Sequence, residues 1–433
     1  MRRHTQIASI AALGLFVLPL ASCGSEGGGS EGDALSSGPI EIWYSTNEQE
    51  IAWGEQVVEA WNADHPDEEV TAQAIPAGSS SEDVIAASIT AGNTPCLVFN
   101  TAPAAVPAFQ KQGGLVNLSQ TFDDAEQVIA DRSGAAADGF RSTDGDLYQM
   151  PWKTNPFMLY YNKDVFAEAG LDAEDPQLET YDDVLAAAEI IVDSGAADYA
   201  LYPPATADYT NINFDFYPFF LANSGGTQII EDDAATFTSE EGLETLEFWQ
   251  TLYAEGYSSA EAYSGDMWAG PFADGVSAMG VAGPWGKAQF DEKVDFGVVP
   301  LPTADGTPAD ETATFADSKN IGLYSSCANQ QTAWDFLKFS TNDENDLALL
   351  ELTGQFPTRD DAADLAADFL AEEPFFEPFS TAVPLAVDVP AVDGLAEKMQ
   401  VFRDTWSENV QSGSGDLESA FGAAATTIDG ISG

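Results

Sequence analysis

Three short apolar strands separated by two helices, all within residues 40–99, constrain this chain more than any other feature. Residues 40–44 alternate as a strand and lead through Ser45, Thr46 and Asn47 into a helix with Ile51, Gly54, Val57, Val58 and Trp61 on one face. Pro66 ends that helix; residues 69–75 read as the next strand, 81–91 as the next helix and 96–99 as the third strand. Such a β-α-β-α-β series implies a parallel sheet with right-handed crossovers, whose ligands bind beyond the C-terminal ends of the strands. Residues 44–48, with Asn100 and Thr101, are therefore candidate cleft loops. A chain of 433 residues is too long for one small core and has room for a second lobe.

The exit from this first lobe is read at residues 148–166. Pro151 and Pro156 cannot donate to a sheet and bias the residues before them away from helix, so an extended connector is expected, followed by an apolar strand at 157–161. Asn162, Lys163 and Asp164 open a short helix that Gly170 closes, since its free φ suits a helix C-terminus. Beyond it, Thr180 to Asp183 is a capping-box start to a helix carrying Val184, Leu185, Ala188, Ile191 and Val192. Helices are expected at 214–222 and 239–255, a strand within 275–286 that the Gly283-Pro284 turn ends, and a strand at 296–302. Residues 320–325 and a helix at 331–339 return to the first lobe. In the terminal helix Met399, Phe402, Trp406 and Val410 form one apolar stripe, which reads as core.

Charge narrows the partners. With 72 acidic and 14 basic residues the net charge is −58, which repels phosphate backbones and anionic headgroups and argues against nucleic acid and electrostatic membrane binding. The scarcity of Lys and Arg suggests adaptation to high external salt, which screens the self-repulsion. Beyond the N-terminal run only His65 remains among the histidines, beside a helix-ending proline, so neither a Ser-His-Asp triad nor a His-rich zinc site is expected. Residues 28–32 match G-x-S-x-G only by chance, in a Gly/Ser tract without strand or helix, and Gly286-Lys287 lacks the earlier glycine of a phosphate loop. No metal or cofactor is expected.

Several segments carry a family resemblance. Residues 148–166 resemble the "lP…lyYNkdlfeeaGl" segment of the extracellular solute-binding proteins, the sugar-binding subunits of ABC importers. Ser277-Ala-Met279 with Gly283-Pro-Trp285 resembles "AM…GpW", and Val299 to Pro302 resembles "v.plP". Ala333 to Lys338 is similar to "A.eFlkf", and Gly354 to Arg359 to "G.lP.r". These motifs run in family order. Two departures are Pro95-Cys96 where the family often has Pro-Asp, and Ala316-Asp317 where many sugar binders have Gly-Gly.

The resemblance implies an α/β, two-lobed, periplasmic-binding-protein-like fold, each lobe a mainly parallel sheet flanked by helices, with hinge crossovers. Lobe one is expected at 39–153 and 314–356, and lobe two at 154–313 and 357–433. It further implies a monomeric, non-enzymatic protein that closes over a carbohydrate, an oligosaccharide, and delivers it to the transmembrane subunits of an ABC permease. Alternatives of other kinds are a secreted carbohydrate-active hydrolase and an importer subunit for a polyamine or other cation.

At the N-terminus, Arg2 and Arg3 precede an apolar run at 7–20, and Leu20-Ala-Ser-Cys23 resembles the lipobox of bacterial lipoproteins. That implies a signal peptide at 1–22, a lipidated Cys23 and a flexible Gly/Ser tether at 23–38. The protein would then sit outside the cytoplasm, on the outer face of the cytoplasmic membrane, touching it through the anchor alone. Cys96 and Cys327 remain, in an oxidising compartment. They either pair or lie buried as small hydrophobes; a bridge inside lobe one is the expectation.

A sugar presents flat CH-rich faces and a rim of hydroxyls, so its site needs aromatic platforms with amides, carboxylates or guanidinium groups around them. Tyr44, Trp152, Phe214, Tyr217, Trp268 and Trp285 are candidate platforms, and Glu48, Asn100, Asn155, Asp317 and Arg359 candidate polar contacts. Trp285 leads because it follows the turn at a strand's end and matches the family's stacking tryptophan. Asn155 is second, in the crossover where the family places a polar sugar contact.

Overall fold

The computed structural model describes residues 35–77 and 80–431; Cys23, the run at 7–20 and most of the tether lie outside the described residues. In chain order the strands are β1 (Ile40–Tyr44), β2 (Val70–Ala74), β3 (Leu97–Thr101), β4 (Gln149–Thr154), β5 (Met158–Asn162), β6 (Tyr199–Leu201) and β7 (Ile230–Glu231). They continue as β8 (Ala234–Ala235), β9 (Ser277–Ala282), β10 (Phe296–Val299), β11 (Thr314–Phe315), β12 (Lys319–Leu323), β13 (Phe356–Pro357) and β14 (Ala386–Val387). One sheet runs β13-β4-β12-β3-β1-β2 and a second β10-β5-β9-β6, while β11 with β14 and β7 with β8 form small ribbons.

The N-terminal series folds as its pattern predicts. Asn47 caps α1 (Glu48–Asp64) by accepting from the amides of Gln49 and Glu50, α2 (Ser81–Ala91) ends on left-handed Gly92, and β1 lies parallel to both β2 and β3. The capping box of Thr180 and Asp183 is present at the helix Tyr181–Ser194, and left-handed Gly170 closes the helix Lys163–Ala169.

Two expectations are corrected. The sheets are mixed, not mainly parallel: β12 runs against β3 and β4, β13 against β4, and β5 against both β9 and β10. A parallel pair needs a long crossover back to the far edge. β5 instead follows β4 across residues 155–157, and β12 follows the β11–β14 ribbon across residues 316–318, each starting at the edge where its neighbours finish. Residues 149–154 are also not a free connector but β4, inside the sheet. Pro151 is tolerated there because the β4–β12 register shifts between Lys319 and Asn320. The Trp152 amide donates to Asn320 Oδ1 at 3.2 Å, and Arg132 donates to the Pro151 carbonyl at 2.6 Å.

Each sheet has an aromatic core. In lobe one Tyr44, Trp53, Phe99 and Trp152 pack with ring centroids 5.4–6.2 Å apart. Gly54 makes this packing feasible, because a Cβ there would stand 2.3 Å from the Tyr44 ring. In lobe two Phe216, Trp249, Phe402 and Trp406 fill the interior, and the stripe Met399, Phe402, Trp406, Val410 is buried as core. A disulfide joins Cys96 to Cys327, which are 231 positions apart; it ties the entry to β3 to the turn after β12.

Candidate ligand-binding cleft

Strand direction fixes which sheet edges face each other. In the first sheet β1, β3 and β4 finish and β12 starts at one edge, with Lys319 opposite Lys153 and Asn320 opposite Thr101. In the second, β9 and β10 finish and β5 starts at one edge, where Met158 pairs with Ala282 and Leu159 with Val299; β6, parallel to β9, finishes there too. Residues 155–157 join these edges, and residues 316–318, which lead from the β11–β14 ribbon into β12, run beside them. The Asn155 amide donates to the Ala316 carbonyl at 2.6 Å and the Phe157 amide to that of Phe315 at 3.0 Å. β14 lies along the same seam, where the Ala316 amide donates to the Val387 carbonyl and the Ser318 amide to the Asp388 carboxylate, both at 3.0 Å.

The lobe-two side of this seam is aromatic. Trp285, half-buried, follows β9 and the Gly283-Pro284 turn and begins the short helix Gly286–Phe290. Its ring meets Phe157 edge-on at 6.1 Å; Phe157 meets Phe214 at 5.4 Å, and Phe214 meets Trp268 at 4.4 Å. Trp268 remains 41% exposed, which leaves a free aromatic face at the outer end of the row. Three of the predicted platforms thus share one row, linked by Phe157, a residue the sequence reading treated only as strand. Asn155 joins it at Gly283, where a Cβ would lie 3.0 Å from Asn155 Cβ and 2.7 Å from Trp285 Nε1.

Polar groups gather on the crossovers. Asn155 Nδ2 donates to the Asp317 carbonyl at 3.0 Å, while Asn155 Oδ1 is buried and without a partner. Asp317 pairs with Lys319 at 2.7 Å. Burial pushes the Asp388 carboxyl up, opposed by its hydrogen bond from Ser318. Burial and then the carboxylates of Glu82, Asp208 and Asp83 push up the Tyr209 hydroxyl, which relates the start of α2 in lobe one to residue 209 of lobe two. Asn100 is half-buried on β3 and Glu48 exposed at the start of α1, both at the cleft edge of the first sheet.

Other predicted contacts are not brought to the cleft. Tyr44 lies under α1 with its hydroxyl donating to the Gly54 carbonyl at 2.9 Å, and Trp152 is buried in the same aromatic core. Tyr217 is buried in lobe two and donates to the Asp388 carbonyl at 2.8 Å. Arg359 is engaged by Asp343, Asp346 and Asp361. A large aromatic at a strand's end and one facing the core give the same local pattern, so sequence alone does not separate them.

Behind the cleft lie buried ion pairs that the sequence reading missed. Lys153 donates to Glu50, whose carboxylate also accepts from Ser45 and Gln355. Burial would raise the Glu50 carboxyl, but the Lys153 charge and these hydrogen bonds hold it below its ordinary value. Arg132 grips Asp346 and the carbonyls of Pro151, Trp152 and Thr358, fastening β4 to the segment after β13. In lobe two Arg403 holds Asp215 at 2.5 Å and the carbonyls of Pro204 and Thr206, steadying the loop that carries Tyr209 and Phe214. The available signal was rarity: with so few cations in the chain, each is worth placing.

Residues 56–378 match the model of a family described as bacterial extracellular solute-binding protein. The maltodextrin-binding protein MdxE of Bacillus subtilis is 25% identical over 281 residues, 62% of this chain and 61% of that protein. The maltotriose-binding protein of Pyrococcus abyssi is 25% identical over 320 residues, 71% of this chain and 64% of that one. Among solved structures, the cyclic alpha-maltosyl-1,6-maltose binding protein of Arthrobacter globiformis superposes with a TM-score of 0.73 at 23% identity, covering 91% of this chain and 99% of that one. At that identity the likeness establishes the fold.

Proposed function

Because the chain belongs to the bacterial extracellular solute-binding proteins, we propose that it binds an oligosaccharide between its two lobes and delivers it to the transmembrane subunits of an ABC importer. The observation that carries this reading is the row Trp285, Phe157, Phe214 and Trp268, which the Asn155 side chain joins through its Cβ at Gly283. Flat aromatic faces suit the CH face of a pyranose, and an unpartnered amide oxygen suits a hydroxyl of its rim. The short paired crossovers suit a hinge, and a ligand that touches both lobes favours the closed arrangement.

In this reading the protein works as a monomer, performs no catalytic step, and is held at the outer face of the cytoplasmic membrane by a lipid on Cys23. Trp285, Asn155, Phe214, Trp268 and Asp317 make the ligand contacts, with Glu48 and Asn100 at the opposite edge. Sugars named for the relatives, maltodextrin and maltotriose, are the first to try. A thermal-shift screen against mono- and oligosaccharides is the test, since a ligand bound only by the folded state raises its melting temperature. A rise with an oligosaccharide, without release of reducing ends, is expected; release would favour a hydrolase, and a rise with polyamines alone would favour a cation importer.

A further inference from the structure

We infer, resting on the carbohydrate reading, that Asp317 sets the charge class of the ligand. By holding the Lys319 ammonium it leaves the cleft floor lined with acceptors and negative charge, which admits neutral or amino-bearing saccharides and excludes those bearing uronates or phosphates.

Asp317 has an unusual backbone conformation. Its φ is +39°, in the left-handed region that favours glycine, and it occupies a crossover directly beside Asn155. An aspartate kept in that conformation has a carboxylate to place, and this one pairs with Lys319 at 2.7 Å. Lys319 opens β12 at the cleft edge of the first sheet. Its neighbours in charge are spent elsewhere: Lys153 is buried against Glu50, and Arg359 is shared among Asp343, Asp346 and Asp361. An anionic ligand at this floor would therefore meet no uncommitted cation among these groups.

What it would meet is unfavourable. Asp388 stands one residue from Asp317 through its bond to the Ser318 amide. Burial alone would lower the Lys319 ammonium, yet the carboxylates of Asp317, Glu82 and Asp388 together push it up. Asn155 gives one of its two amide hydrogens to the Asp317 carbonyl, its Cβ lies against Gly283, and its buried Oδ1 has no hydrogen-bond partner. Hydroxyl and ammonium groups satisfy that oxygen, whereas a carboxylate or phosphate does not. Exclusion by unmatched charge is the usual way a site rejects a near-isostere that its shape would accept.

Calorimetric titration can decide this with neutral gluco- and galacto-trisaccharides set against galacturonic acid trimers, using wild type, Asp317→Asn and the double variant Asp317→Asn with Lys319→Met. Wild type should bind a neutral trimer and disfavour the uronate by about a hundredfold. Asp317→Asn frees the lysine and should narrow that ratio roughly tenfold, and removing Lys319 as well should restore it. Asp317→Gly, which suits a φ of +39°, serves as a second freeing variant if the asparagine fails to fold. Equal binding of neutral and uronate trimers by wild type, or an unchanged ratio in a folded Asp317 variant, overturns the inference alone. Wild type that binds no saccharide overturns the carbohydrate reading and this inference with it.

Discussion

The two sheet edges that meet at the cleft are built from opposite chemistry. The first presents Lys319, Asn100 and the crossover amide and carboxylates, and is braced from behind by a disulfide and by the Glu50–Lys153 and Arg132–Asp346 pairs. The second presents the row from Trp285 to Trp268 on an aromatic core, braced by the Arg403–Asp215 pair. Directional hydrogen bonds lose value steeply with misplacement, whereas stacking tolerates small shifts. In the carbohydrate reading the difference is a division of labour: the polar edge carries more braces because hydrogen bonds to a ligand must be accurate, and the aromatic edge relies more on packing.

If that contrast is right, the largest perturbation should come from the braces of the first edge. Breaking Cys96–Cys327 by Cys327→Ser opens a closed loop of 231 positions and should cost about 5 kcal/mol of stability in the chain-entropy model. Denaturant unfolding in oxidising and reducing buffer reads this directly; coincident curves would remove the disulfide from the bracing.

Glu50→Gln should come next, because it strands Lys153 as a buried charge, at about 3–5 kcal/mol. The same residue gives a pH test. The Glu50 carboxyl is held below its ordinary 4.5 in the folded protein, so the stabilisation it gives is present above that value and lost as pH falls through its depressed folded value. The acid limb of the stability profile should therefore flatten in Glu50→Gln; an acid limb as steep as wild type would assign the loss to other carboxylates.

Trp285→Ala sharpens the other side. At a stacking position it should weaken oligosaccharide binding by roughly 1–3 kcal/mol, one to two decades in Kd, with the fold nearly intact. Calorimetry beside denaturant unfolding distinguishes this from a core role, where stability would drop by about 3–5 kcal/mol with affinity unmoved. That second pattern would break the contrast.

The smallest effect is reserved for Tyr44→Phe. Its hydroxyl satisfies only the Gly54 carbonyl, so losing it should cost about 1 kcal/mol of stability and leave ligand affinity unchanged. Any loss of affinity beyond about twofold would return Tyr44 to the site.

Much of the fold was legible where local rules act alone. The alternation at 40–44, the caps at Asn47 and Thr180 and the glycine at 170 each depend on a few neighbouring residues, and each folds as read. Strand direction was not legible, because it is set by which lobe the chain arrives from. Pro151 misled for a related reason: the side chain of Asn320, distant in sequence, meets the amide next to it. Trp285 stands half-buried after the Gly283-Pro284 turn, the position its sequence context indicates, while Tyr44 and Trp152 carried the same aromatic signal and went to the core. Only Gly54, whose missing side chain makes space for the Tyr44 ring, hinted at that outcome. The buried pairs lay beyond reach because each joins residues far apart along the chain, such as Arg403 and Asp215.

The place of β12 in the first sheet has a consequence for the order of assembly. It is hydrogen-bonded between β3 and β4, yet it is made only after the whole stretch of chain that includes β5 to β11. Until residues 319–323 emerge, the β3 and β4 edges that they will join have no partner, and the two parts of the sheet cannot close. Lobe two, begun later, can gather much of its sheet first, since β5, β6, β9 and β10 precede β12 in the chain. The N-terminal half must therefore wait, exposed and adhesive, for a strand from the far side of the molecule, and a chain that stops before residue 319 should aggregate rather than yield a folded first lobe.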